Sequence, residues 1–255
     1  MVKVRILGIA GSPRHGNTEI IVKEALKAAE EIGDVETELI AIADKKILGG
    51  CPSTVCYKCI TNPSAELLCQ YYEDDVNDIF RSMMISDGII IGTPVYFGSI
   101  PAQLKCVIDR SIPGVASGFQ FRNKVAGVIT VSLDRNTCEG AMINLWRWFL
   151  THDMIIVGIG PVRPEKGVGS YYGATALQGY PYPVSTLSRE GSSAVKQDEV
   201  GMTAARFLAK RVTEMAKIVK SGLSQLQPEE LAWYKQYALD WYEKYKQYGK
   251  RNTPP

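Results

Sequence analysis

Four of the six cysteines in this 255-residue chain fall within nineteen residues: Cys51, Cys56, Cys59 and Cys69, spaced C-x4-C-x2-C-x9-C. Thiolates this close share a metal or a cluster, or are oxidised to one another. The Cys56–Cys59 pair lets two sulfurs converge from a single turn, and Cys51 and Cys69 would supply the third and fourth ligands from the flanking chain. Zinc held by four thiolates usually shows two C-x2-C knuckles, and here there is one. By themselves the four cysteines leave an iron–sulfur cluster, zinc and a disulfide open. With only His15 and His152 present, a His-rich metal site is excluded.

A second concentration of chemistry lies at Gly11-Ser12-Pro13-Arg14-His15-Gly16-Asn17-Thr18. It follows a mostly apolar run, Val2–Ile9, and precedes an amphipathic pattern through Ile20, Ile21, Ala25, Ala28, Ala29 and Ile32. A strand, a small polar loop and a helix N-terminus together form an anion-binding arrangement, because loop amides and the helix dipole converge on one place. The loop lacks the Gly-Lys-Ser/Thr ending of a nucleotide-hydrolysing loop. Gly8, Gly11 and Gly16 do not fit the dinucleotide spacing either. A lone terminal phosphate, as in a mononucleotide such as FMN, suits it better; the plain alternative is a well-capped strand–helix turn.

The elements that must position these groups alternate along the chain. Strands are expected at Val2–Ile9, Glu36–Ile42, Gly88–Gly92, Val125–Ser132 and Met154–Gly160. Helices are expected from about Asn17, and over Tyr72–Ile85, Pro101–Arg110 and Ala141–Thr151. Such alternation predicts a parallel, doubly wound sheet covered on both faces. Ligands then bind outside the carboxyl ends of the strands, where the loops 11–18, 93–99 and 132–140 fall. Arg163–Gly191, rich in Gly, Tyr, Pro and Ser, reads as one long ordered loop. Asp198–Leu223 reads as a long helix. A last helix from Gln227 to about Tyr248 carries Trp233, Tyr237, Trp241 and Tyr245 every four residues, which buries a wide face on its own domain or across a subunit boundary. Cys106 reads as a small buried hydrophobe, and Cys138 likewise.

The composition is 45% hydrophobic and 22% charged with a net charge of +2, so no strong field favours nucleic acid or an anionic membrane. No apolar run is long enough to span a bilayer. The first residues enter a strand pattern without the features of a signal peptide. The expectation is a cytoplasmic protein with reduced thiols.

At the level of family, GSPRHGNT (11–18) resembles the flavin-phosphate loop of the NADPH-dependent FMN reductase superfamily of flavodoxin-like proteins, and GTPVYFGSIPAQLKCVIDR (92–110) resembles its second flavin loop and following helix. With cysteines between the second strand and the second helix, the chain is most similar to the iron–sulfur flavoprotein family. The resemblance covers residues 1 to about 220. It implies a flavodoxin-like five-stranded parallel sheet of order 2-1-3-4-5 with FMN at its carboxyl edge. The domain would span 1–222, with a cysteine insert at 49–71 and a C-terminal helical extension at 223–255. By motif, Ser12, Arg14, Asn17 and Thr18 would hold the phosphate, and Pro94, Val95, Tyr96, Phe97 and Gly98 would line the isoalloxazine. The third loop matches less well: Asn136 and Thr137 stand where the family tends to have glycine, while Arg135 and Glu139 match, and Ser132 and Arg135 would add flavin contacts. The family's cysteine motif is more compact than the one here, although Glu73-Asp74-Asp75 resembles its acidic start to the next helix.

The resemblance implies an FMN-dependent oxidoreductase of the electron-transfer type. A 4Fe–4S cluster on Cys51, Cys56, Cys59 and Cys69 and an FMN would join a one-electron donor such as ferredoxin to a two-electron small-molecule acceptor, with no residue acting as nucleophile or general base. The alternatives are an NAD(P)H-dependent reductase of FMN or quinones with structural or zinc-binding cysteines, and a non-catalytic flavin- or metal-binding partner protein. A homodimer or homotetramer is implied by the same resemblance.

Overall fold

The computed structural model describes residues 2–52, 69–116, 118–133, 135–160, 171–178 and 193–227, with isolated residues beyond. Its centre is a sheet whose strands all pair in parallel: β1 (Val4–Ala10), β2 (Val35–Ala41), β3 (Gly88–Pro94), β4 (Val125–Ser132), β5 (Ile155–Ile156) and β6 (Ala174–Leu177). The order is β2-β1-β3-β4-β5, as expected from the family resemblance. Every residue of β3 and β4 is buried, which is why these strands read as unbroken apolar runs rather than as alternations.

The helices are α1 (Asn17–Glu30), α2 (Val76–Ile85), α3 (Ala102–Asp109), the short α4 (Ile112–Ala116), α5 (Cys138–Thr151) and α6 (Glu199–Leu223). They divide the core into two layers. Val4, Ile6, Ile90, Val125, Ile129 and Val131 face α1 and α6. Leu7, Ile9, Ile89, Ile91, Ala126 and Val128 face α2, α3 and α5. The two sets alternate along each strand, as the period-two geometry of a strand requires. Each fully buried Ile or Leu stabilises the fold by about 1.5–3 kcal/mol relative to leaving it in water.

The two faces are not equivalent. Toward α1 and α6 the strands present glycine at several positions. A Cβ at Gly92 would stand 2.3 Å from Val22, and one at Gly127 would stand 2.8 Å from Val212. Both helices therefore sit almost on the strand backbone. The opposite face presents Ile9, Ile89 and Ile91 to its helices.

The fifth lane departs from expectation. Only Ile155–Ile156 pairs there, against Val125 and Ala126. The chain then leaves, and Ala174–Leu177 returns to pair with Ile129–Ser132 on the upper half of β4. The stretch expected to be a single loop thus contributes a strand. A Cβ at Gly173 would stand 2.5 Å from the Val128 carbonyl oxygen, so the return is made by backbone that only glycine lets this close. Two helix starts also shift. α2 begins at Val76, because Asp74 and Asp75 spend their carboxylates on backbone amides instead of continuing the helix upstream. α5 begins at Cys138, after a 3-10 turn over Arg135–Thr137. Cys138 is buried as expected, whereas Cys106 is only half-buried. Cys56 and Cys59, most of the loop expected at 163–191 and most of the C-terminal aromatic helix lie outside the described residues. Among those described, no helix is long and apolar enough to cross a membrane.

Candidate functional site

The register of the sheet brings the loops after β1, β3 and β4 to one edge. The Gly11 amide donates to the Gly92 carbonyl at 2.7 Å, and the Val95 amide donates to the Val131 carbonyl at 3.0 Å. These bonds tie the three loop starts together before any ligand is considered.

In the first loop, Ser12 closes a local turn: its Oγ donates to the Arg14 carbonyl at 2.7 Å and accepts from the Arg14 amide at 3.2 Å. Gly16 stands before α1 at φ 140°, a region that favours glycine, and the helix begins without a side-chain cap from that position. The N-terminus of α1 is thus left without a side-chain cap from Gly16, and the positive end of a helix favours an anion. Thr18 is buried in this first turn. The Asn17 side chain reaches sideways, donating to the Gln178 carbonyl at 3.4 Å and accepting from the Val195 amide at 3.0 Å. It thereby pins the end of β6 and the turn Ala194–Gln197 to the start of α1. His15 turns outward between Glu19 and Asp44; the hydrogen bond to Glu19 and the charge of Asp44 raise its pKa.

The second loop is a tight reversal. Tyr96 and Ser99 exchange both backbone hydrogen bonds, at 2.9 and 3.0 Å. Phe97 at φ 50° and Gly98 at φ 75° occupy the left-handed region that such a two-residue turn demands. Phe97 sits at the tip, 108% exposed relative to its reference. The Arg14 guanidinium lies 6.0 Å from the centroid of the Tyr96 ring, so the first two loops face each other. α5 supports the turn from behind: a Cβ at Gly140 would stand 2.3 Å from the Gly98 carbonyl, and Asn144 Nδ2 donates to Ser99 Oγ at 3.2 Å. In the third loop Ser132 Oγ lies 3.2 Å from Cys138 Sγ. Arg135 donates to the Thr175 carbonyl and to Asp198 Oδ1, both at 2.5 Å, which fastens this loop to β6 and to the cap of α6.

A second constellation lies where the cysteine segment enters and leaves the described chain. Asp74 Oδ2 accepts from the Leu48 amide at 2.9 Å and Asp75 Oδ2 accepts from the Lys46 amide at 2.7 Å, holding the irregular segment that leads to Cys51. On the exit side, Asn77 grips Cys69 through both its amide and its carbonyl, at 2.8 and 3.3 Å. Arg110, at the end of α3, joins the two sides. Its terminal nitrogens donate to both Asp74 oxygens at 2.6 and 2.7 Å, and its Nε donates to Cys69 Sγ at 3.2 Å. Tyr72 stacks over the guanidinium, 4.7 Å from ring centroid to Cζ. The ion pair is fully buried. Burial alone would weaken both charges, yet the hydrogen bonds reverse it: Arg110 is held above its ordinary pKa by Asp74 and Cys69, and Asp74 below its own by Arg110 and the Leu48 amide. Gly49 packs against Tyr72 and Gly50 faces Asp109, so the residues before Cys51 lie at the same corner.

Comparison with known proteins decides the family. Residues 4–163 match the family described as NADPH-dependent FMN reductase. An iron-sulfur flavoprotein of Methanocaldococcus jannaschii is 38% identical over 219 residues, covering 85% of this chain and all of the relative. The chain belongs to this family, in its iron–sulfur flavoprotein branch. An iron-sulfur flavoprotein of Archaeoglobus fulgidus is 33% identical over 82% of the chain and 96% of the relative. Among solved structures, RosB with bound 8-demethyl-8-formylriboflavin-5′-phosphate superposes with a TM-score of 0.61 at 13% identity, over 92% of this chain and 87% of that one, a likeness of fold. As a member of the FMN reductase family, the protein is an FMN-dependent oxidoreductase.

The described residues suit both groups that this membership brings into question. For FMN, the uncapped N-terminus of α1 behind Gly16 and the exposed Arg14 guanidinium match the chemistry of a phosphomonoester. For a cluster, Cys69 is a buried sulfur that already receives a charged N–H donor, which suits a thiolate ligand. Among the described residues no group of three or more potential metal ligands occurs; two of the four cysteines lie outside them. The Arg110–Asp74 clamp escaped the sequence reading, although both residues stood in quoted motifs. Thirty-six positions separate them, and only a lone arginine ending an apolar helix hinted at a buried partner.

Proposed function

We propose that this FMN-dependent oxidoreductase passes electrons between a one-electron protein donor, such as a ferredoxin, and a two-electron small-molecule acceptor. In this reading Cys51, Cys56, Cys59 and Cys69 ligate a 4Fe–4S cluster. The observation that carries it is the corner at Arg110, where the chain entering and the chain leaving the cysteine segment are held together and one cysteine sulfur is offered a cationic donor. A cluster exchanges one electron and FMN one or two, so the pair converts between the two currencies.

The chain's own part is to bind, orient and insulate. Ser12 shapes the first loop. Arg14 and the amides of Asn17 and Thr18 would hold the flavin phosphate. Pro94, Val95, Tyr96, Phe97 and Gly98 would line the ring, with α5 fixing the turn that presents them. Ser132 and Arg135 would close the site from the third loop. The corner at Arg110 lies one eight-residue helix, about 12 Å of axis, from the loop after β3. A homodimer or homotetramer belongs to the same reading; the exposed Phe97, Ile143 and Leu150 offer apolar surface for it.

Anaerobically purified protein should contain flavin, iron and acid-labile sulfide, with a broad absorption shoulder beneath the flavin bands. Flavin without iron or sulfide would sink the cluster half. A second reading is an NAD(P)H-dependent reductase of FMN or quinones, favoured by the description of the matched family itself. Bleaching of the bound flavin by NADPH with no protein donor present would select it.

A further inference from the structure

Arg110 is among the largest fully buried side chains of the molecule, and no described contact joins it to a flavin loop. Its geometry is directional. The carboxylate of Asp74 takes both terminal nitrogens, so Nε is left to point at Cys69 Sγ. The guanidinium thus stands between a carboxylate and a sulfur. Asp74 is itself fixed by the Leu48 and Val76 amides, so the orientation is imposed from outside the pair.

We propose that Arg110 is a positioning residue that sets the reduction potential of the iron–sulfur cluster through its hydrogen bond to Cys69, and that Asp74 aims it and partly offsets its charge. The proposal rests on the cluster reading above. Adding an electron adds negative charge to the cluster and its thiolate sulfurs. A cationic N–H donor at one sulfur stabilises the reduced form more than the oxidised form, so it raises the potential. In a buried site little water competes with it. The carboxylate behind it acts in the opposite sense at longer range. The two partners of one ion pair therefore move the potential in opposite directions, a signature that mere scaffolding does not produce.

The test is a redox titration of anaerobic holoprotein, following cluster and flavin separately by absorbance and electron paramagnetic resonance. The double variant Arg110→Met with Asp74→Asn removes both charges of the buried pair and keeps an acceptor for the Leu48 and Val76 amides. At the potential where the wild-type cluster is half reduced, it should show about a tenfold fall in the ratio of reduced to oxidised cluster, about 59 mV for a one-electron couple. Asp74→Asn alone should raise that ratio. The flavin potential should stay within threefold in both. A cluster retained at wild-type stoichiometry with an unmoved potential would overturn the inference, as would shifts of the same sign in both variants. Should the double variant lose its cluster, Arg110→Lys decides: it keeps the charge without the Nε donor, so a fall supports the inference and no change overturns it. Absence of iron and sulfide from the wild type would remove the cluster reading and this inference with it. A cluster present but indifferent to Arg110 would remove the inference alone.

Discussion

At Asp198 one carboxylate serves three donors. It accepts from the Gly201 amide as the cap of α6, from the Leu177 amide at the end of β6, and from Arg135 of the third loop, while being almost wholly buried. Asp198→Ala should therefore cost about 2–4 kcal/mol, the sum of a lost cap and a buried charge and amide left without their acceptor, read as a shift in urea midpoint. Asp198→Asn, which keeps an acceptor but not the charge, should recover part of it. Gly16 is the corresponding test of the flavin edge. Its φ of 140° strains any L side chain, so a substitution there distorts the start of α1. Gly16→Ala should weaken FMN binding by at least about tenfold, roughly 1.4 kcal/mol, in a flavin fluorescence titration. Unchanged affinity would place the phosphate elsewhere.

Among elements, α1 shows how tightly this fold is built on the glycine-bearing face of the sheet. Gly92→Ala would drive a Cβ into Val22, 2.3 Å away, and should destabilise by about 1–3 kcal/mol. Pairing it with Val22→Ala should restore part of that loss, a non-additivity measurable in a double-mutant cycle. β1, β3, β4 and the helices between them were legible in the sequence, because parallel strands buried on both faces are unbroken apolar runs and their helices carry a clear stripe. β5 was legible in place but not in length, and β6 was not legible at all, since two and four residues carry no period and their pairing is decided by β4. The same contrast holds at the site. The loops 11–18 and 94–99 are local in sequence and were readable. The long-range links, Asn17 to Val195 at the first loop and Arg110 to Asp74 at the cysteine corner, span 178 and 36 positions and leave no local pattern.

For the molecule as a whole, acid stability should turn on His152. It is buried among Phe121 and Trp148, with Nε2 at 2.8 Å from Ser111 Oγ, and burial pushes its pKa down to about 4. The unfolded chain binds this proton near pH 6.5, so stability is complete above that value and falls as pH drops toward 4, by about 3 kcal/mol from this group. His15 works in the opposite sense, but its exposed position leaves it screened. Urea unfolding between pH 7 and 4.5 should show the decline, and His152→Leu should flatten it; an unaltered slope would assign the acid sensitivity to other groups. The divided fifth lane has a different bearing. Because β4 receives its outer neighbour in two separate pieces, Ile155–Ile156 and Ala174–Leu177 border different halves of that strand, each through its own pairing. A substitution that loosens the lower pairing at Val125 and Ala126 therefore leaves the upper pairing, beside the cofactor edge, assembled.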